Sequence, residues 1–464
     1  MERTVHLVSL GCAKNEVDAE VMLGVCEAEG WRLVPRPEQA EVIVVNTCSF
    51  IGPARQESVD AILAAARMKE QGRCRTLVVA GCLAQRYPEA LAAELPEVDH
   101  FLGTSDALRL ADVLRGHAPR MAVGHPAAWT MRASDPRRVA RRPHSVYVKI
   151  AEGCNRRCAF CAIPSFRGPQ RSRPLDDVVA EVRALVEQGA VEINLVAQDT
   201  VAWGRDLPDR PRLASLLEAI ARVPGVRWVR MHYLYPESLD ERLLALMRDD
   251  PRVLPYVDMP LQHASDAMLR RMRRGRGGDA LRRRIERIRE ALPGSVWRTS
   301  FIVGHPGETD ADFEELVRLV EWAQFDHVGV FVFSPEEGTP SGVMRDRVPT
   351  RVARERQRRL YAVQRAISRR KLAEFVGRTL EVLVDGPSSQ SEWLLEGRYW
   401  GQAPDVDGTV TLANGTAQPG QIRLARVTAA ADHDLVADLL DAEGRSDAPP
   451  PAAVRRRVRL RTVA

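Results

Sequence analysis

Lysine is nearly missing from this chain. Of 67 basic residues only Lys14, Lys69, Lys149 and Lys371 are lysine, and the rest are arginine spread along the whole length. So even a spread reads as a compositional habit, and the net charge of +5 does not by itself point to nucleic acid. Long apolar runs are missing as well. Nothing approaches the roughly 18 residues that a bilayer span needs. The opening Met1-Glu2-Arg3-Thr4-Val5-His6-Leu7 lacks the apolar core of a secretory leader. The expectation is a cytoplasmic protein with no membrane partner. With 45% hydrophobic and 28% charged residues, the 464-residue chain has material for real cores, in about three domains of ~150 residues. In a reducing compartment, eight cysteines read as ligands or catalysts rather than disulfides.

Three βα units open the chain. Strands are expected at 4–10, 41–46 and 76–80, with helices at about 15–29, 53–69 and 88–95. Short apolar runs alternating with helices indicate a parallel sheet. Residues 117–143 hold six Pro and His residues among arginines without any period, which reads as a linker. A second βα series follows, with strands expected at 146–150, 191–197, 226–232, 256–259, 296–303 and 327–333. Its helix at 175–188 carries Val178, Val179, Val182, Leu185 and Val186 on one stripe. Six sequential units suggest a partial (β/α)6 barrel. After a helix near 352–375, alternating segments at 380–384, 393–396, 408–412 and 421–428 suggest a small OB-like β-barrel. The proline- and arginine-rich end reads as a disordered tail. The chain is thus α/β overall. It divides into an N-terminal parallel-sheet domain (1–117), a linker (118–143), a barrel (144–374), a β-barrel module (375–440) and a tail (441–464).

Cysteine spacing carries the chemistry. Cys154-x3-Cys158-x2-Cys161 follows directly on the first barrel strand. Three thiolates on one loop can hold three irons of a [4Fe–4S] cube and leave the fourth open to a chelating ligand. The competing zinc reading needs a fourth protein ligand, and the nearest His, His144, lies ahead of the strand. Cys12, Cys48 and Cys82 each stand just past a strand end in three successive N-terminal units. Carboxyl ends of parallel strands share one edge, where such sheets place their ligands. Helix N-termini there favour thiolates. These three could instead be separately buried small hydrophobes. Cys26, on a stripe with Met22 and Leu23, reads as core, and Cys74, in the turn after Gln71-Gly72-Arg73, as a bystander.

Other barrel residues suit a nucleoside-like ligand. Phe160, inside the cysteine loop, could cover an adenine or simply pack. Gly304 lies in Ser300-Phe301-Ile302-Val303-Gly304-His305-Pro306-Gly307-Glu308, a strand running into a turn that lets backbone approach a ligand. Gln198 and Asp199 end the second strand, on the face where barrels keep polar catalytic groups. The run Arg270-Arg271-Met272-Arg273-Arg274-Gly275-Arg276 is either a solvated helix face or a surface for substrate or RNA.

At this point the residues resemble the radical S-adenosylmethionine methylthiotransferases, over about residues 1–440. The strings that carry the likeness are Ser9-Leu10-Gly11-Cys12-Ala13-Lys14-Asn15, Gly153-Cys154 through Phe166-Arg167-Gly168, Met231-His232-Tyr233-Leu234-Tyr235-Pro236 and Pro404-Asp405-Val406-Asp407-Gly408. The resemblance implies a radical-SAM barrel, a C-terminal TRAM module, S-adenosylmethionine and two [4Fe–4S] clusters. Cys154, Cys158 and Cys161 would hold the radical cluster, and Cys12, Cys48 and Cys82 the auxiliary one. Phe160, Gln198, Asp199 and Gly304 are the candidate S-adenosylmethionine contacts. The branch it is most similar to places a methylthio group on the β-carbon of an aspartate in small-subunit ribosomal protein S-twelve. It also implies an electron donor and a sulfur donor, neither named by the residues. His305 departs from the family pattern, where an aromatic such as phenylalanine is expected. The alternatives are a tRNA adenosine methylthiotransferase of the same mechanism and a non-catalytic iron–sulfur protein that binds RNA. Residues 375–440 carry four arginines against nine carboxylates. An acidic module should repel phosphate and attract a basic ribosomal protein, so RNA contact is not favoured.

Overall fold

The computed structural model describes residues 3–236, 239–275 and 277–441. The expected tail, 441–464, lies outside the described residues apart from residue 441. No helix among the described residues is long and apolar enough to cross a membrane.

The N-terminal third is a parallel six-stranded sheet in the order 32–33, 4–9, 42–47, 76–81, 100–102, 121–122. Its central strand Val42–Thr47 is buried along its full length. That explains its β-branched run Val42-Ile43-Val44-Val45: helices cover both faces, so no polar alternation is needed. The helix Ala13–Ala28 packs on one face with Val17, Val21 and Met22, and Ile62 and Leu83 close the other. Cys26 is buried in the first of these cores, as read. Cys74 is buried in the second, beside Ile43 and Leu77, and is no bystander of an exposed turn.

Residues 118–143 are not a free tether. Met121–Ala122 adds the sixth strand, and Met131 joins the N-terminal core. Arg137 bonds Glu20 at 2.6 Å on the first helix, Glu181 on a barrel helix, and the Tyr147 carbonyl at 2.6 Å. A connector held by one buried arginine shows no periodic pattern, because its order comes from its partners.

The middle of the chain holds six parallel strands in chain order. Ser145–Lys149, Glu192–Val196 and Trp228–Met231 form one sheet; Tyr256–Asp258, Val296–Val303 and His327–Val332 form another. A parallel bridge between Val229 and Val253 joins them into one open arc. All six expected strands are present. Amphipathic helices cover the outside, where Val178, Val182 and Leu185 of Leu175–Glu187 enter the core.

Five strands then close a small barrel in the order 379–388, 391–399, 410–413, 435–439, 422–430. The sequence reading found four of them. The fifth, Leu435–Leu439, runs parallel to Val410–Ala413 and supplies the closing edge.

This barrel is bound tightly to the arc. Leu383 and Ala403 pack on Trp228, Tyr256 and Val296. Beneath them Glu192 accepts from Arg230 at 2.9 Å and pairs with Arg398 at 2.8 Å. Burial alone would raise the Glu192 carboxyl; Arg398 and Arg230 outweigh it and bring it down from 4.5 to about 2. A depressed carboxyl contributes stability above its ordinary value and loses it as pH falls toward the folded value. This seam should therefore weaken between about pH 4.5 and 2, by roughly 3 kcal/mol. Denaturant unfolding across that window should show Glu192→Gln less stable at neutral pH, with a flatter acid limb than the parent.

The same seam corrects the charge argument. Asp385 pairs with Arg398 and His144, and Asp405 with Arg142. Asp407 accepts from Tyr256 at 2.6 Å, and Asp432 pairs with Arg369. Four of the nine carboxylates of 375–440, Asp385, Asp405, Asp407 and Asp432, thus have partners outside the barrel, so the composition of this module overstates the acidic charge it offers to a substrate.

Candidate active site between the two cysteine sets

Each N-terminal cysteine follows a strand of the parallel sheet. Cys12 caps the helix Ala13–Ala28, Cys48 follows Val42–Thr47, and Cys82 opens the helix Cys82–Arg86. Two glycines make this edge. Gly11 has φ +97°, and a Cβ there would stand 2.9 Å from the Cys48 Cβ; Gly81 has φ +92°, with Asn46 Oδ1 at 2.4 Å. Any side chain would push the strand ends apart. Asn15 ties the edge together by donating to the carbonyls of Leu10 (2.9 Å) and Thr47 (2.8 Å).

The three thiols share one electrostatic environment. Burial raises Cys48, and the charge of Cys12 adds to it. Burial pushes Cys82 up to about 12 against the pull of Arg167, with Cys48 and Cys12 adding to the rise. Cys12 ends below the usual thiol value, because Lys14 and Arg167 outweigh its burial.

Cys154, Cys158 and Cys161 are partly buried on their loop. The loop is pinned at Ala159, whose N–H donates to the Met272 carbonyl (2.9 Å) and whose carbonyl accepts from the Ser341 N–H (2.8 Å). Burial pushes Cys161 up to about 12, with Cys158 and Cys154 adding to it. Arg274, in the basic run, is turned inward: it lies 3.7 Å from Cys158 Sγ and 4.0 Å over the Tyr235 ring. Arg156 covers Tyr235 at 3.6 Å. Arg271 pairs with Asp346, and Arg276 lies outside the described residues. A cavity of about 350 Å³ opens beside this stack, walled by Tyr235, Leu261, Leu269, Arg274 and Arg284.

The two cysteine sets meet. Cys82 packs against Ala162 and Phe166, immediately after Cys161. Arg167, 2% exposed, reaches across. It donates to Cys82 Sγ at 3.2 Å, to Asn15 Oδ1, to Asp18 at 2.7 Å and to Glu152 at 3.1 Å. Lys149 completes the square by pairing with Asp18 and with Glu152 at 2.8 Å. Reading the residues in order did not reveal Arg167, Lys149, Asp18 or Glu152 as parts of the site. The one available signal was lysine scarcity, since two of the four lysines stand here.

Gln198 donates to Glu152 at 2.8 Å, and Asp199 accepts from Arg156 at 2.5 Å, so both lie against the cysteine loop. Gln198 Oε1 and Asp199 Oδ1 are buried acceptors without a partner among the described residues. Such buried acceptors call for a donor. Phe160 is half-buried in the loop. Beside Gly304 a Cβ would meet Ala353 at 2.4 Å, so its missing side chain serves helix packing. His305 keeps the place of the expected aromatic. It is fully buried, edge-on to Phe333 at 5.0 Å, and bonded to Ser341 at 2.8 Å. Burial lowers its ring to about 4, which keeps it neutral.

Among the described residues, no three His, Cys, Asp or Glu groups are drawn tightly enough to hold a single metal ion. The donor chemistry fits iron–sulfur clusters: all six thiols are free, thiols within each set lie near enough to raise one another, and arginines stand beside Cys82 and Cys158.

Residues 4–103 match Uncharacterized protein family UPF0004, residues 148–320 the radical SAM superfamily, and residues 376–440 the TRAM domain. The fold is shared with TsrM from Kitasatospora setae, a radical S-adenosylmethionine methyltransferase solved with cobalamin and a [4Fe–4S] cluster. The TM-score is 0.53 at 16% identity, over 74% of this chain and 77% of that one. The chain is 56% identical to ribosomal protein uS12 methylthiotransferase RimO of Sorangium cellulosum (strain So ce56), over 99% of this chain and 97% of the relative. It is 50% identical to the protein of the same name from Anaeromyxobacter sp. (strain K), over 98% and 97%. Identity at that level along nearly the whole length, with the radical SAM and TRAM matches in order, means that the chain belongs to the RimO family of radical S-adenosylmethionine methylthiotransferases.

Proposed function

We propose that this protein transfers a methylthio group to the β-carbon of an aspartate in ribosomal protein uS12. The observation that carries the reading is the contact between the two cysteine-bearing segments, with Cys82 packed on Ala162, the residue after Cys161. In this reading Cys154, Cys158 and Cys161 hold one [4Fe–4S] cluster, and Cys12, Cys48 and Cys82 hold a second. The division into 1–117, 144–374 and 375–440 assigns one cluster to each of the first two parts.

An aspartate β-C–H has no useful acidity, so an ordinary general base cannot remove its proton. Loaded clusters with S-adenosylmethionine supply the carbon radical that removes the hydrogen and the sulfur that replaces it. The chain's own residues do the positioning. Arg167, Lys149, Asp18 and Glu152 fix the distance between the cysteine sets. Gln198 and Asp199 offer acceptors beside the first loop. Tyr235, clamped by Arg156 and Arg274, walls the cavity next to Cys158. An electron donor and a sulfur donor complete the partner set.

RNA contact is a second reading. Trp393, 86% exposed near the 388–391 turn of the C-terminal barrel, offers a face on which a base could stack. Mass spectrometry of reactions offered both uS12 and tRNA separates the two. The expected product is one methylthio group on a uS12 aspartate, with tRNA adenosines unchanged; a modified tRNA and untouched uS12 would reverse the assignment. Replacing Cys12, Cys48 and Cys82 together by alanine should remove about four irons per chain while S-adenosylmethionine is still cleaved. Full iron content in that variant would show the second cluster wrongly placed.

A further inference from the structure

Lys14 stands in the first turn of the helix Ala13–Ala28, two residues after Cys12. Its side chain is 7% exposed, and its ammonium lies 3.6 Å from the centre of the Tyr233 ring. A residue of the N-terminal sheet domain thus reaches over one that follows the third barrel strand, Trp228–Met231. The neighbouring buried cations are paired: Lys149 with Asp18 and Glu152, Arg167 with the same two, Arg230 with Glu192. The partners of Lys14 are of another kind, the Tyr233 side chain and the Cys12 thiol, and neither is a carboxylate. Among the described residues its ammonium is balanced only by two weakly acidic groups, the Tyr233 hydroxyl and the Cys12 thiol, so a full carboxylate charge entering beside it would be a stronger partner.

Tyr233 gives a second, independent sign. Its φ is +58°, a left-handed conformation that a non-glycine residue adopts at a cost. The strain is locked by its N–H donating to Asp258 at 3.3 Å and by the His232–Asp258 pair at 3.0 Å. Backbone strain held in this way clusters at ligand clamps. Composition adds a third. A chain that uses arginine almost everywhere keeps a lysine here, where a compact ammonium and not a planar fork faces the ring.

We propose that Lys14, seated on Tyr233, binds the side-chain carboxylate of the substrate aspartate. The inference rests on the reading of the substrate as a protein aspartate. That carboxylate is one bond from the β-carbon, so an anchor two residues from Cys12 holds the β-carbon close to the N-terminal cysteine set. An adenine base brings no negative charge, so an ammonium without a carboxylate partner favours an acidic side chain over it. Lys14 is therefore the residue that separates an acidic side chain from a nucleobase or an amide.

The test uses reconstituted full-length enzyme with S-adenosylmethionine, and measures dissociation constants for purified uS12 and for uS12 with its target aspartate changed to asparagine. Iron content and uS12 modification are followed alongside. The parent should bind the aspartate form roughly 10–100-fold more tightly than the asparagine form, the range for a hydrogen bond to a charged group. Lys14→Met should lose that preference, bringing the ratio near one, and Lys14→Arg should recover part of it. The arginine variant also keeps the test decisive if the methionine variant does not fold. A Lys14→Met enzyme with normal iron and the parental preference would overturn the proposal. So would one that loses iron while its substrate preference survives, since the lysine would then serve the thiols. If the parent itself leaves uS12 unmodified, the substrate reading fails, and this outcome is separable because it needs no variant.

Discussion

Replacing Cys158 by alanine should abolish cleavage of S-adenosylmethionine, lowering 5′-deoxyadenosine formation by more than about 100-fold. Loss of a ligand should exceed the loss typical of a residue that merely orients one. The loop itself should survive the change. Its backbone is held at Ala159 by the Met272 carbonyl and by the Ser341 N–H, and neither bond involves the thiol. Iron content should fall by about four per chain, while circular dichroism stays parental. Cleavage at the parental rate in a variant with full iron would remove Cys158 from the ligand set.

Replacing Arg167 by leucine should destabilise the fold by about 3–5 kcal/mol, the range for breaking a buried ion pair by removing one partner. Arg167 and Lys149 face Asp18 and Glu152 in a square in which all four side chains are almost fully buried. Without the guanidinium, Lys149 alone is left to balance two carboxylates, and Asn15 Oδ1 and Cys82 Sγ lose a donor. The partners lie far apart in the chain, Asp18 on the sheet domain and Glu152 on the arc, so the damage should appear as separation of the two. Denaturant unfolding should show the lower midpoint. Limited proteolysis should cut the 123–128 segment between Ala122 and Trp129 faster. A loss under about 1 kcal/mol, the value of an exposed pair, would mean that the square carries little of the interface.

Much of the site was readable without coordinates, because its chemistry is local. The spacing of Cys154, Cys158 and Cys161 is a property of one loop. The recurrence of Cys12, Cys48 and Cys82 after successive strands follows from parallel topology, which puts every strand's carboxyl end on one edge. The barrel strands were legible for the same reason: each is a short apolar run between turns. The fifth strand of the C-terminal barrel was not, since Leu435–Leu439 is five residues long and gains its place only by pairing with Val410–Ala413 and Ile422–Ala430. The charge of 375–440 was legible only as a total, because composition counts carboxylates without showing that Asp385, Asp405, Asp407 and Asp432 find partners outside the barrel.

The sequence by itself therefore determined the α/β order, the two cysteine sets and the kind of cofactor they suit, since each depends on residues within one loop or one period of a strand. Only the tertiary structure decided that the two cysteine-bearing segments touch at Cys82 and Ala162, that Arg167 bridges the two domains there, that the connector 118–143 is packed, and that Lys14 lies over Tyr233. Arg167 meets Asp18 across 149 positions and Asn15 across 152. Lone polar residues that find their partners over such separations leave no periodic trace, because their pairing is set by the packing of whole domains and not by the local chain.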